Sequence, residues 1–258
     1  MATIARANTP LSALRHFNFR LYFIGQLISL SGTWMQRVAQ GWLVFQLTGS
    51  EFALGLVAAA QGFPMLLLIP LGGVVSDRYS RRTILIMSFT VQMLQAILLA
   101  ILTFAELVEV WHIVALSAAL GVATAFEMPA RQTFVYDLVG RVDIQSGVAL
   151  NAITINAANI LGPTAAGILL VQIGAAWCFS LNGVTFLASL GALAWMQLAP
   201  FSRQMTSTNP WAELVDGLRY AIRHPTIAPL LILGTSNAVF GINVLVTLLP
   251  SFADVTLD

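Results

Sequence analysis

Seven apolar stretches, each long enough to cross a bilayer as a helix, follow one another along the 258 residues with only short breaks between most of them. They run over approximately 20–46, 52–75, 83–105, 110–130, 145–173, 175–198 and 226–250. A helical span needs about 20 apolar residues, because roughly 30 Å of hydrocarbon is crossed at about 1.5 Å per residue. In lipid every backbone N–H and C=O must be paired within the protein, so a chain of this kind folds as a bundle of membrane helices. The breaks carry the Gly, Pro, Arg and acidic residues that end helices or seek water.

Composition agrees and excludes other classes. Charged residues make up 9% of the chain and hydrophobic ones 58%, whereas a soluble domain carries about 25% charge. A disordered segment needs low hydrophobicity, and a net charge of +1 leaves no basic surface for nucleic acid. The single cysteine, Cys178, excludes a disulfide framework and a cysteine-based metal site. All twelve basic residues are arginine, so a G-x-x-x-x-G-K-[ST] phosphate loop is absent and no nucleotide-driven motor resides here. The run that follows Arg6, Arg15 and Arg20 is too long for a signal-peptide core and has no small-x-small cleavage site after it, so it reads as an uncleaved first span.

Charge also orients the chain. Assigning loops alternately to two sides groups Arg6, Arg15 and Arg20 with Arg78, Arg81 and Arg82, with Arg131 and Arg141, and with Arg203, Arg219 and Arg223. The opposite loops carry Glu51, Glu106 and Glu109 and no basic residue. The positive-inside rule then makes the N-terminus cytoplasmic, with Trp42, Trp111 and Trp177 at outer ends and Trp195 at an inner one. Between spans six and seven, Trp211, Leu214, Val215, Leu218 and Ile222 recur at helical spacing, after Asn209-Pro210 as cap and first position and before Pro225 as stop. This reads as an amphipathic linker helix on the inner membrane surface, the alternative being a dedicated regulatory or partner-binding helix.

Two motifs narrow the family. Gly73-Val-Val-Ser-Asp77-Arg78-Tyr-Ser-Arg81-Arg82 lies between spans two and three. It resembles the signature loop of the major facilitator superfamily, G-x-L-A-D-R-x-G-R-[RK], with Val75, Ser76 and Ser80 as substitutes. Gly73 is expected to let two helices approach, and Asp77 to bond amides at a helix start or pair with arginine. In span five, residues 151–167 contain Gly162-Pro163 and Gly167, similar to the G-x-x-x-G-P-x-x-G-G element of the antiporter branch. Gly147, Thr154, Ala158, Gly162 and Ala166 form one stripe of small residues there, a packing face on its own account, and Pro163 permits a kink. Further strings, including Gly32-Thr-Trp-Met-Gln-Arg37, Pro129-Ala-Arg131-Gln132, Leu181-Asn182-Gly-Val-Thr-Phe186 and Arg223-His224-Pro225, are similar to the bacterial exporter subgroup of enterobactin exporters and macrolide-efflux proteins. The chain departs from that subgroup at Asn159, where an arginine is expected.

The resemblance implies an all-α membrane protein with twelve spans in two six-helix halves, each built from two inverted three-helix repeats, with substrate held between the halves. Here residues 1–199 read as the N-terminal six-span half, 200–225 as the cytoplasmic linker and 226–258 as span seven opening an incomplete C-terminal half. The chain thus reads as a truncated exporter. The implied function is secondary export of small molecules, drug-like compounds or a siderophore, by alternating access coupled to protons in a bacterial inner membrane. The alternative is a non-transporting membrane protein that needs a partner half or a second copy. Small-molecule substrate and membrane lipid are the expected partners, with no cofactor, metal or nucleic acid. No enzyme motif such as H-E-x-x-H or G-x-S-x-G is present.

An ionised group within a span needs a reason. Arg37 is the only arginine outside the inner groups and lies about 25 Å up span one. Gln26, Ser29, Thr33, Gln36, Arg37 and Gln40 recur on one helical face, and a polar stripe in lipid must face protein or water. Either Arg37 snorkels to the outer surface or it holds a polar or anionic substrate group. Thr124 on span four, with Asn151, Asn159 and Asn182, completes the candidate pathway. Interhelical hydrogen bonding is the alternative role of the asparagines. Glu127 is the candidate proton carrier, the alternative being a salt bridge to Arg131.

Overall fold

A computed structural model describes residues 11–198, 219–220, 223–230 and 233. The chain divides into two compact units, Met1–Met205 and Thr206–Asp258. In the first unit a short 3-10 segment, η1 (Ser12–Arg15), precedes α1 (Phe17–Thr48), α2 (Glu51–Arg78), α3 (Arg81–Phe104), α4 (Val110–Gln172) and α5 (Ala175–Trp195). All regular structure among the described residues is helical.

The five helices supply six rods because α4 is two helices joined at Gly140, whose φ of 67° and ψ of −174° are not helical. A positive φ is readily adopted only by glycine. The chain turns back after it, so that Gly147 packs against Val135 and Val139. The expected loop over 131–144 is therefore helical on either side of one residue. Charge alone did not break it, because Arg131, Asp137, Arg141 and Asp143 make helix-compatible contacts at the bundle's end.

Local chemistry sets the other ends. Gly49 closes α1 in the left-handed region (φ 60°), and its N–H donates to Phe45 O. Ser50 caps α2, accepting from Ala53 N at 3.4 Å. Glu109 and His112 form a reciprocal capping box at the start of α4. Pro64, Pro70, Pro129 and Pro163 all lie inside helices, as membrane helices tolerate.

Among the described residues, α2, α3, α4 and α5 are long and apolar enough to cross a membrane. The 32-residue α1 is long enough, but its polar stripe lowers its hydropathy. The stripe is folded inward: Gln26, Ser29, Gln36 and Gln40 are all buried.

Packing follows a pattern in which neighbours in sequence are mostly not neighbours in space. The main contacts of α1 are with α4 and α5, those of α2 are with α4, and those of α3 are with α4 and α5. One apolar cluster gathers Phe19, Tyr22, Leu85, Phe89, Phe134 and Leu193 near the His16 end. A second gathers Met35, Val44, Leu99, Ile113, Cys178 and Phe179 towards the Gly49 end.

Two crossings need glycine. A Cβ at Gly72 of α2 would overlap the Ala125 carbonyl, and one at Gly121 of α4 would overlap the Gln61 carbonyl. Gly73, expected to play this part, faces nothing among the described residues. The two adjacent glycines are alike in sequence, and of the two Gly72 is the one that meets α4 at this crossing.

In the second unit, His224 ends a helical turn by donating its N–H to Tyr220 O at 2.9 Å, and Thr226 N donates to His224 Nδ1 at 3.3 Å. Pro225 sits at that stop. The rest of the linker helix expected over 209–224, and most of span seven expected over 226–250, lie outside the described residues.

Candidate functional site

The inward face of α1 builds a recess with α2, α4 and α5. Thr33, Gln36, Arg37, Gln40, Gln61, Leu120, Asn182 and Phe186 line a small, partly open recess there, whose free space of about 20 Å³ is on the scale of a single water molecule. Five of the eight side chains are uncharged hydrogen-bonding groups and one is a cation. Such a wall suits an oxygen-rich, anionic ligand group with an apolar neighbour.

Arg37 is exposed, and its guanidinium stands 4.4 Å from the centroid of the Trp34 ring. A cation held over an indole face stays oriented without being neutralised, so its charge remains for a ligand.

Behind it, a chain of amides ties three helices. Asn182 Nδ2 donates to Gln36 Oε1 at 2.7 Å, and Gln36 Nε2 donates to Gln95 Oε1 at 2.9 Å. Thr185 Oγ1 donates to Asn182 Oδ1 at 3.1 Å. One turn on, Gln40 Nε2 donates to Ser117 Oγ at 2.8 Å. The Asn182–Gln36, Gln36–Gln95 and Gln40–Ser117 bonds are buried in low dielectric, where a paired amide is rigid and an unpaired one is costly. Gly32 opens the gap they fill, because a Cβ there would overlap Thr185 and Asn182.

Glu127 lies deeper in the bundle on α4 and is 6% exposed. Its Oε2 accepts from Gln92 Nε2 at 2.8 Å, and its Oε1 lies 3.4 Å from Arg131 Nη1. The expected neighbour Arg131 is therefore present. Gln92 on α3 is a partner that sequence did not single out, because an isolated amide in an apolar run carries no sign of direction. Gln61 and Gln95 were missed for the same reason.

The structure brings Thr33, Gln36, Arg37 and Gln40 into the recess, with Asn182. It does not bring the other candidates there. Gln26 is buried beneath it, Thr124 is half-buried with its hydroxyl bonded to Leu120 O, Asn151 is half-buried and Asn159 is exposed. Thr33 likewise bonds Ser29 O, so both threonine hydroxyls are engaged by their own helices.

At the signature loop, Asp77 is exposed within the last turn of α2, not at a helix start, and has no bond among the described residues. Arg81 pairs with Asp137 of α4, and Arg82 donates to Ala194 O of α5 at 3.1 Å. Arg78 is half-buried. In the span-five element Gly162 meets Trp34 Cβ and the Ser31 carbonyl, so the small-residue stripe packs on α1, while Gly167 faces open space and Pro163 is half-buried.

Comparisons with known proteins point one way. A family described as transmembrane secretion effector matches residues 8–258. The chain is 26% identical to an enterobactin exporter of Shigella flexneri over 93% of this chain and 56% of that protein. It is 24% identical to a staphyloferrin A transporter of Staphylococcus aureus, over 65% and 42% respectively. An uncharacterised major-facilitator-type transporter of Bacillus subtilis is 24% identical over 83% and 50%. The chain spans about half the length of the curated relatives it matches.

Proposed function

The chain belongs to the transmembrane secretion effector family of major facilitator superfamily transporters, and on that premise we propose that it supplies the N-terminal half of a small-molecule export pathway. In this reading residues 1–199 form the six-span half, 200–225 the linker and 226–258 the beginning of the second half. Substrate moves by alternating access, with the Arg37 recess facing the pathway between halves. The chain sits in a bacterial inner membrane with its N-terminus inside. Support for that orientation comes from the first unit, where Arg15, Arg20, Arg81, Arg82 and Arg141 lie towards one end and Glu51, Glu106 and Glu109 towards the other.

The observation that carries the proposal is Arg37 itself. It is an arginine deep along a membrane helix, exposed on a recess walled by amides and oriented by Trp34. Snorkelling alone would not need that wall. The recess chemistry favours substrates bearing carboxylate or phenolate oxygens beside an apolar body, the chemistry of a siderophore. The names of the enterobactin and staphyloferrin A relatives point the same way.

Coupling is assigned to Glu127, the carboxyl buried between Gln92 and Arg131. Protonation would release Arg131 from its partner, so the bundle is biased by the proton.

The test is efflux of a panel of anionic compounds from an efflux-deficient bacterium expressing a complete two-half transporter that contains residues 1–258. Arg37→Ala lowers export of at least one compound at unchanged membrane level, and Arg37→Lys retains part of it. Unchanged efflux across the panel overturns the recess assignment. Glu127→Gln is expected to flatten the dependence of efflux on an imposed proton gradient, and an unaltered dependence removes Glu127 from the mechanism.

A further inference from the structure

Three buried polar atoms on α1 and α3 have no hydrogen-bond partner among the described residues: Tyr22 Oη, Gln26 Nε2 and Gln95 Nε2, in the seam these helices share with the first limb of α4 (110–139). Their residues are 3%, 2% and 4% exposed. Buried polar groups in proteins are nearly always satisfied, by protein or by ordered water. Three unsatisfied ones in a single seam need a common explanation.

Their heights are fixed by contacts. The Tyr22 ring lies 5.6 Å from the Phe134 ring, and Gln40 bonds Ser117. Residue numbers rising along α1 therefore fall along α4 at nearly the same pace, which puts Glu127 level with the buried Ser29. On α3, Gln92 bonds Glu127 and Gln95 bonds Gln36. At about 1.5 Å per residue, Gln26 lies about 6 Å beyond Tyr22 along the axis, Glu127 about 4.5 Å beyond Gln26, and Gln95 about 4.5 Å beyond Gln92. Polar groups thus recur along the seam from the inner end of α1 to the recess at intervals that one or two water molecules bridge.

The chemistry selects the ligand. An amide nitrogen donates and does not coordinate a cation, and a phenol beside a carboxylate also offers its proton. Glu127 keeps unused acceptor capacity after one bond from Gln92 and a 3.4 Å contact with Arg131. A ligand that accepts from Tyr22, Gln26 and Gln95 and donates to Glu127 is water, which needs two to four such partners. Arg131 and Tyr22 are the ionisable groups facing Glu127 from α4 and α1.

We infer that this seam is a hydrated column, in which ordered water held by Tyr22, Gln26 and Gln95 joins Glu127 to the Arg37 recess. Its transport role rests on the reading of Glu127 as proton carrier; its hydration does not. A proton leaving the Glu127 carboxyl bonds to the adjacent water, which gives one of its own protons to the next. Charge moves along the column, and each oxygen keeps its place.

The test is X-ray radiolytic labelling of the protein in lipid nanodiscs in ¹⁸O-enriched water, read by mass spectrometry. Radicals form on bound water and oxidise the side chain beside it. Tyr22 is expected to take up ¹⁸O at a rate approaching that of the exposed Tyr79, while Phe179, fully buried in the other apolar cluster, stays unlabelled. Tyr22 labelling no faster than Phe179 overturns the column. Labelling of Tyr22 together with an unchanged proton dependence in Glu127→Gln keeps the column and removes the carrier.

Discussion

Gln36 and Asn182 stand 146 residues apart in sequence and share a 2.7 Å hydrogen bond in the interior of a membrane bundle. Gln36 also donates to Gln95, so one side chain is the junction of α1, α3 and α5. Replacing Gln36 by Leu leaves an Asn182 donor and a Gln95 acceptor unpaired. The expected loss is about 1–3 kcal/mol, read as a lowered melting temperature in detergent. Gln36→Leu combined with Asn182→Leu should cost less than the two singles added, since the second change removes the stranded donor. Strict additivity would show that the bond does not couple the helices.

The adjacent glycines of α2 give a sharper contrast. A methyl at Gly72 overlaps the Ala125 carbonyl, whereas one at Gly73 meets nothing among the described residues. Gly72→Ala is expected to destabilise the bundle by about 1–3 kcal/mol through forced separation of α2 and α4. Gly73→Ala should be neutral to thermal unfolding, and any transport defect it causes then belongs to a surface other than this crossing. Equal destabilisation by both would contradict the crossing geometry.

Arg81 and Asp137 are both partly exposed, so their pair contributes at most about 1 kcal/mol to stability. Its expected importance is positional, because it fixes the start of α3 to α4. Arg81→Asp and Asp137→Arg should each impair export, and the swapped double variant should recover a measurable part. No recovery would mean that the two charges act on separate partners.

Acid should loosen the N-terminal strap. The Ser12 hydroxyl and the His16 ring beside Asp143 hold its carboxyl below the usual carboxylate range, and His16 Nε2 lies 2.8 Å from Asp143 Oδ2. A depressed pKa means that the contribution is present above the unfolded value of about 3.9 and is lost as pH falls through the lower folded one. Hydrogen exchange of amides 12–16, including the Ala13 N–H donated to Ser146 Oγ, should therefore accelerate only below about pH 4 once intrinsic rates are divided out. Asp143→Asn should exchange faster at neutral pH. A flat protection profile in both proteins would remove the carboxyl from the latch.

How much of this was legible depended on whether a residue's meaning was carried by a pattern or by its neighbours. The helices were legible because apolar runs of membrane length have no other outcome. The stripe from Gln26 to Gln40 was legible as inward-facing because its period names a face. The partners of that stripe were not: Gln61, Gln92 and Gln95 are single amides, and only packing decides which of them meets which helix. The Gly140 break was hidden by charged residues that look like a loop, and the choice of Gly72 over its neighbour depends on the rotation of α2. Asp143 found His16 across 127 residues, a distance over which spacing says nothing.

Gly140 has a mechanical consequence. The two limbs of α4 meet through one residue with no loop between them, so the angle between them is set by a single pair of backbone torsions. The limb that carries Glu127 and the limb whose Gly162 abuts Ser31 and Trp34 on α1 therefore share one elbow, at a position where within α4 any side chain would be strained.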